Sequence, residues 1–598
     1  MGVTKEAFVD LQEKYEKIKK LIEEDSKLDP ESEPYISKYA ARQLLISMKA
    51  NLEKLLDQSN ENSEKLTAML GAVWYYLGMI SVDTEELSTG EIQLNKSISL
   101  VENYSLKPEF VLVMLNALNQ LGILWSHRDD SEKSKEYLER SQKLYADFKD
   151  LNIAPVCFND LFRSSGEKNE EESYMYLEKT HTLTLYYLAQ IYGSLKDQLK
   201  SAIYCHVTLK RQLEFNDHEP IDWALNAATL SQFFMEKNGF KQARHHLAAA
   251  SNMLSIYEAK LNDTASLSEE YDAKMEAFKH RSADVARCWA KYGIFLLSSS
   301  RDRLLHHTDD EEDCSMTCTL SSDLAQLQLA PDSTVSSDDL SDLFFPSFDV
   351  QVYELQVTDQ FVLTFEDARA VFLSIQSWLN EAHLYYTLEN HATDYVQIVQ
   401  DMSQMFNYLA FFEDNAERQS KMHKRRIDLL ENAVKELNPT YYLQVCRQIW
   451  YELGETYITI LEIKMDKLRE SPERPTPHAL QKINSLIEKS IANFLNFVNS
   501  IKETLNTESI EKVHDDLERP TLKAYFHAAV MYGKFITPDK TVQLENTRKS
   551  LLYFKKMVDY CDKFEKATVH VKTELGVCRE MVMLLPLKIM KISQEIGA

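Results

Sequence analysis

Residues 118–142 read LNQLGILWSHRDDSEKSKEYLERSQ, and two features of this stretch decide the fold. Gly122 interrupts an apolar helical pattern, where glycine costs about 1 kcal/mol relative to alanine. Ser134 and Ser141 stand where larger apolar side chains would ordinarily cover a helix face. The stretch can be written Leu118-x2-Leu121-Gly122-x2-Trp125, then Ser134-x3-Leu138-x2-Ser141. Small residues on two consecutive helices at this interval are what two helices need where their backbones approach, so packing offsets the glycine.

The same interval returns along the chain. Trp74-x2-Leu77-Gly78 leads to Gly90-x3-Leu94-x2-Ser97, and Leu230-Ser231-x2-Phe234 leads to Ala243-x3-Leu247-x2-Ala250. Leu188-Ala189-x2-Tyr192 precedes Ala202, one residue late. Further on, first helices recur while their partners are displaced. Trp289-x2-Tyr292-Gly293 pairs with Ala368-x3-Phe372, Trp450-x2-Leu453-Gly454 with Ser490-x3-Phe494, and Tyr525-x2-Ala528-Ala529 with Ser550-x3-Phe554. This is the spacing of tetratricopeptide units, read across both helices of several pairs. An irregular bundle of amphipathic helices would fill a core with the same residue types but has no reason to repeat the interval. The expected fold is therefore all-α, a divergent tetratricopeptide-like helical-repeat solenoid with long insertions. It divides into an array over 1–260 and a helical-repeat half over 261–598.

Composition agrees. Only 13 glycines and 14 prolines punctuate 598 residues, and 27% of residues are charged, which favours long helices over a strand-and-turn architecture. With 93 acidic against 67 basic residues the net charge is −26, which argues against nucleic acid and anionic membranes as partners and for a basic protein surface. No run of about 18 uninterrupted apolar residues appears, so no membrane insertion is expected. MVMLLPLKIM at 581–590 is short and holds Pro586. MGVTKEAF carries no signal or transit pattern, and eight scattered cysteines form no disulfide framework, so a soluble, cytoplasmic chain is expected.

Several segments depart from the repeat. Residues 151–172 read as a linker or long loop, and 301–350 as a disordered acidic insertion rich in Ser and Asp. Ser321, Ser336, Ser337 and Ser341 beside its acids are phosphorylation candidates. Residues 350–364, VQVYELQVTDQFVLT, alternate like a short strand. KMHKRR at 421–426 is the densest basic run, with Arg418, Lys421 and Arg425 on one helix face, read as internal or solvated charge.

Chemical motifs are scarce. His306, His307, Cys314 and Cys318 have zinc-ligand chemistry but no closed-site spacing, so no metal is expected. His245-His246 reads as the exposed edge of a second helix. No phosphate-cradling loop, nucleophile elbow or H-E-x-x-H motif occurs, so no cofactor, no small-molecule substrate and no enzymatic activity are expected.

Four longer strings carry a resemblance. They are YYTLENHATDYVQIVQDMSQMFNYLAFFEDNAERQSKMHKRRIDLLE at 385–431, LNPTYYLQVCRQIWYELGETY at 437–457, LTLYYLAQIYGSLKDQLKSAIYCHVTLKRQLE at 183–214 and MYGKFIT at 531–537. Through them nearly the whole chain resembles the kinesin-binding protein family, the tetratricopeptide-type regulators of kinesin motors. That resemblance implies a non-enzymatic, cytoskeleton-associated regulator whose partners are kinesin motor domains. It implies that the protein blocks their attachment to microtubules, with roles in neuronal transport and axon development. The acidic charge is consistent with capture of a basic motor face in competition with acidic tubulin.

In tetratricopeptide arrays first-helix positions two, five, nine, twelve and thirteen line the groove. Counting from the matched small residues places Gln190 and Gln232 at ninth positions and Tyr187 and Thr229 at sixth positions, with Gln212 near the end of the intervening helix. The resemblance also favours this central stretch, so Tyr187, Gln190, Gln212, Thr229 and Gln232 are the expected partner-binding residues. On the opening unit the presented face is expected to run through Asn119 and Ile123. A co-chaperone that reads carboxyl-terminal peptides is the rival class. It needs cations converging on a carboxylate, whereas the ninth positions are Met79, Ile123, Gln190, Gln232 and Glu455.

Overall fold

Gly78, Gly122, Gly293 and Gly454, singled out by the spacing, lie where two helices meet closely. In the computed structural model, which describes residues 5–58, 63–163, 169–263, 268–306, 343–470, 475–505 and 512–597, there is no strand among the described residues. The chain is an all-α helical-repeat protein divided into two compact units.

The first unit comprises the described residues of Met1–Lys260 and Thr317–Val350. Its helices are α1 (Lys5–Glu23), α2 (Ile36–Gln58), α3 (Ser63–Asp83), α4 (Leu87–Val101), α5 (Val111–His127) and α6 (Ser131–Lys149), then α7 (Phe158–Phe162), α8 (Glu170–Ser194), α9 (Gln198–Glu214), α10 (Pro220–Glu236) and α11 (Phe240–Asp263). The second comprises the described residues of Leu261–Met316 and Gln351–Ala598. It holds α12 (Glu269–His306), α13 (Gln351–Glu354), α14 (Phe365–Tyr385), α15 (Ala392–Phe411) and α16 (Ala416–Glu436), then α17 (Leu443–Glu470), α18 (Pro477–Leu505), α19 (Asp515–Gly533), α20 (Lys540–Lys563) and α21 (Lys572–Gly597).

The close approaches are physical. A Cβ on Gly122 would lie 2.6 Å from Leu138 Cγ, one on Gly78 2.6 Å from Leu94 Cγ, and one on Gly454 2.7 Å from the Phe494 ring. In three of the pairs a serine opposite the small residue donates its hydroxyl to that residue's carbonyl: Ser134 to Gly122 at 2.7 Å, Ser490 to Gly454 at 3.0 Å and Ser550 to Ala529 at 2.8 Å. Ser201 does the same to Ala189 at 2.8 Å. Ser201, and not Ala202, is therefore the residue in register, so that unit is not displaced by one.

The first unit's helix pairs also share a turn. Glu85, Asp129, Lys196 and Asn238 all have positive φ, each seven residues after the small residue of its first helix. The next residue's N–H closes onto the carbonyl five back, as in Glu86 to Ser81, Asp130 to Trp125, Asp197 to Tyr192 and Gly239 to Phe234. This is the Schellman ending, in which a left-handed residue satisfies carbonyls at the helix C-terminus. Three of the four positions lack the glycine or asparagine that announces it.

Several expectations are corrected. Residues 151–163 are not a surface linker, because Val156, Phe158, Leu161 and Phe162 are buried and Phe158 and Phe162 stack on Tyr75 and Tyr15. Apolar side chains there outweigh the loop-like polarity of the flanking sequence. Residues 350–364 form no strand: α13, turns, bends and irregular backbone occupy them, and Val362 donates its N–H to Ser300 Oγ at 2.9 Å. The insertion is shorter than 301–350, since residues 301–306 continue α12 and Leu343, Phe345 and Val350 are buried. Its remainder, with His307, Cys314, Cys318 and the four candidate serines, lies outside the described residues.

His245 and His246 are buried, not an exposed edge. His246 Nε2 lies 3.0 Å from His206 Nδ1, and His245 Nε2 accepts the Phe345 N–H at 2.9 Å. Among the described residues α3 is long and apolar enough to cross a membrane, with mean hydropathy 1.2 over an 18-residue window, 72% of it buried inside the protein.

Within the basic run, Arg426 is buried and donates to Ser403 and Asn407, so part of that charge is structural. Asn119 and Ile123 are buried as well. Asn119 donates to Thr180 O at 3.2 Å and accepts from Thr184 at 3.0 Å, so α8 covers the face on which a partner was expected.

Candidate functional site

Three helices of the first unit frame a groove. Asn169 caps α8 by accepting the Glu172 N–H, and the acidic run Glu170–Glu172 sits at the favourable end of the helix dipole. Asp197 caps α9 by accepting the Lys200 N–H, and Pro220 opens α10. Fully buried Trp223 donates its indole N–H to Leu209 O at 3.0 Å and meets Phe345 and Phe348 edge-on, which ties α10 to α9.

The groove between these helices holds about 600 Å³. Four of the five expected residues line it: Gln190 from α8, Gln212 from α9, and Thr229 and Gln232 from α10. Gln190, Thr229 and Gln232 are exposed and Gln212 is half-buried. Tyr187 does not line it. Its ring is half-buried against the Leu185, Leu188 and Tyr204 cluster, and burial raises its phenol's pKa above the ordinary value. The aromatic wall is instead Tyr186, 43% exposed, with its ring edge-on to Tyr187 at 5.3 Å.

Sequence reasoning also missed Gln198, Asn226, Phe233 and Glu236. A signal existed for two residues: counted from Ala189 and Ser231 as eighth positions, Tyr186 is a fifth position and Glu236 a thirteenth, both groove positions. The sixth position chosen for Tyr187 belongs to the inward side of α8, although the same position in α10, Thr229, faces outward.

The groove mixes amides with apolar surface and is nearly uncharged. Glu236 is the one carboxylate among its lining residues, and no Lys or Arg lines it. The side-chain amides of Gln190, Gln198, Gln212, Asn226 and Gln232 make no hydrogen bond to other described residues, whereas the Thr229 hydroxyl donates to Leu225 O at 2.8 Å. Ten amide N–H donors and five carbonyl acceptors are therefore left without partners among the described residues. Cys205, in the same wall, has its thiol pushed up to about 11 by burial, so it stays protonated at neutral pH and is a poor nucleophile. The arrangement can engage a surface through hydrogen bonds and aromatic contact.

Comparison with known proteins bears on what that surface is. Residues 221–592 match the family model described as KIF-1 binding protein C terminal. The chain is 39% identical to the KIF-binding protein of Gallus gallus, with 98% of this chain and 97% of that one covered. It is 35% identical to that of Drosophila melanogaster, covering 100% and 99%. A solved structure titled as a cryo-EM map of KIFBP aligns with TM-score 0.59 and 31% identity over 94% of this chain and 96% of that one. With these matches running the length of both units, the chain belongs to the KIF-binding protein family.

Proposed function

We propose that this protein captures kinesin motor domains through the α8–α10 groove and thereby prevents their attachment to microtubules, acting in the cytoplasm on organelle transport and axon development. The observation that carries the reading is the convergence of five unengaged amides, with Tyr186 and Phe233 beside them, on one open groove. Such a surface is built for association: amides supply directional specificity and the aromatic rings supply contact area. The family's name supports a kinesin as the partner, and a net charge of −26 favours encounter with a basic motor face.

Charge and groove then have separate roles. The overall field speeds encounter and weakens with salt, whereas the amides hold the docked state and are insensitive to it. The co-chaperone reading lacks its cations in this groove.

Pull-down with purified motor domains and microtubule co-sedimentation test the proposal. The native chain should shift motors from pellet to supernatant. Q190A/Q212A/Q232A should weaken capture by roughly tenfold or more, since each lost hydrogen bond is worth about 0.5–1.5 kcal/mol. Motors that still pellet with microtubules at saturating native protein would overturn it.

A further inference from the structure

A second groove, in the other unit, has the opposite chemistry. It lies between α16, α17 and α18, holds about 560 Å³, and is lined by six lysines: Lys421, Lys424, Lys464, Lys467, Lys482 and Lys489. Glu417 is the one carboxylate among its lining residues. In a chain of net charge −26 this concentration of cations is the reverse of the background.

Half of the lysines are neutralised locally. Lys467 pairs with Glu417 at 2.6 Å, Lys424 with Asp428 at 2.7 Å and Lys489 with Glu431 at 3.5 Å. Lys421, Lys464 and Lys482 form no ion pair with other described residues, and the first two are close enough to Glu417 to help lower its pKa. Three like charges around one concavity repel one another, a cost that an anionic ligand removes.

The floor limits what that anion is. Half-buried Ile463 and Leu486 give it apolar surface, backed by buried Ile427, Ile460 and Tyr457. A compact polyphosphate would engage the lysines and leave this apolar surface uncovered. No arginine, whose planar fork suits phosphate, is among the lining residues. A peptide that alternates carboxylates with apolar side chains satisfies both layers, since Ile463 and Leu486 accept its apolar residues while the rim takes its charges. The groove also has the wrong sign for a basic motor face, so it is independent of the α8–α10 site.

We propose that the α16–α18 groove is a second binding site, which takes an acidic, amphipathic peptide segment of a partner protein. Lys421, Lys464 and Lys482 receive its carboxylates, and the half-buried Ile463 and Leu486 receive its apolar side chains.

The test is fluorescence anisotropy on the full chain. The probe is a short fluorescein-labelled peptide that alternates Asp or Glu with Leu or Phe, with the Asn/Gln version as control and inositol hexakisphosphate as competitor. The acidic peptide should bind saturably and weaken with salt, the screening length being about 8 Å at physiological strength. K421E/K464E/K482E should weaken it by at least about tenfold, as loss of three charge contacts at the exposed-pair scale gives. K421Q/K464Q/K482Q, which places no new charges in the fold, should give a smaller loss in the same direction, while Lys143→Glu in the other unit should have no effect. The proposal is overturned if the acidic peptide does not bind below about 1 mM or if the Asn/Gln peptide binds equally well. It is also overturned if the Gln variant, with an unchanged circular dichroism spectrum, binds like the native chain, or if the polyphosphate binds this groove and the peptide does not.

Discussion

The two units make the same helix-pair contact with very different connections. In the first, Ser134 reaches Gly122 across 12 residues, through a tight left-handed turn found in four pairs. In the second, Ser490 reaches Gly454 across 36 residues and Ser550 reaches Ala529 across 21. Among the described residues no non-glycine residue of the second unit has positive φ. Tripling a connection costs only about 1 kcal/mol of closure entropy. Register is therefore held by the small residue and the large side chain that fills its notch, with a serine satisfying the carbonyl where one stands opposite. The turn is an accessory.

The largest test of this view places bulk in the notch. Gly454→Leu should cost about 3 kcal/mol, because three atoms of the rigid Phe494 ring lie within 2.9 Å of the new Cβ. Gly122→Leu should cost about 2 kcal/mol, since it meets the more pliable Leu138. Urea midpoints for the two variants decide the matter. If Gly454→Leu is the milder, the long connection lets α18 shift, and the equivalence of the two contacts breaks.

Acid probes the units differently. Burial pushes His246 down to about 3 and His423 and His527 to about 4, and it holds His206 and His181 well below the ordinary value. These rings stay neutral when folded, but the unfolded chain takes up protons below about pH 6.5. Their contribution to stability is thus complete above that pH and is lost as the pH falls towards 4. His246→Gln should flatten the profile by about 2 kcal/mol between pH 7.5 and 5. Hydrogen exchange across that range should show the first unit, with three such histidines against two, loosening first. A uniform loss would show that the units respond as one.

The smallest effect concerns the turns. Lys196→Gly should stabilise the protein by about 1 kcal/mol, the cost of a left-handed conformation for a residue with a Cβ. A thermal melt reads this directly, and a destabilised variant would mean that the Lys196 side chain does more for the turn than its backbone costs.

Much of this was legible beforehand, for definite reasons. Gly122, Gly454 and Ser490 could be read because an inter-helix notch demands a small residue at a set distance from its partner. The groove residues Gln190 and Gln232 could be read because the ninth position follows from that register. Tyr187 was misplaced because fifth and sixth positions straddle the boundary between groove and core, and small differences in helix rotation decide which faces out. His245, His246 and Asn119 look like surface polar residues in one dimension. Only neighbours distant in sequence, Phe345 for His245 and Thr180 for Asn119, make them interior.

The basic groove follows the same logic at larger scale. Lys421 stands in a visible run, but Lys464 and Lys482 come from separate helices, and nothing in their local sequence brings them together. The amino-acid sequence by itself determined the helix pairs, the register of most of them and the family, because these rest on short-range spacing and on strings of identity. Which polar residues are buried, which amides remain unengaged and where like charges converge were decided only by tertiary packing, because each depends on contacts that cross tens to a hundred residues of chain.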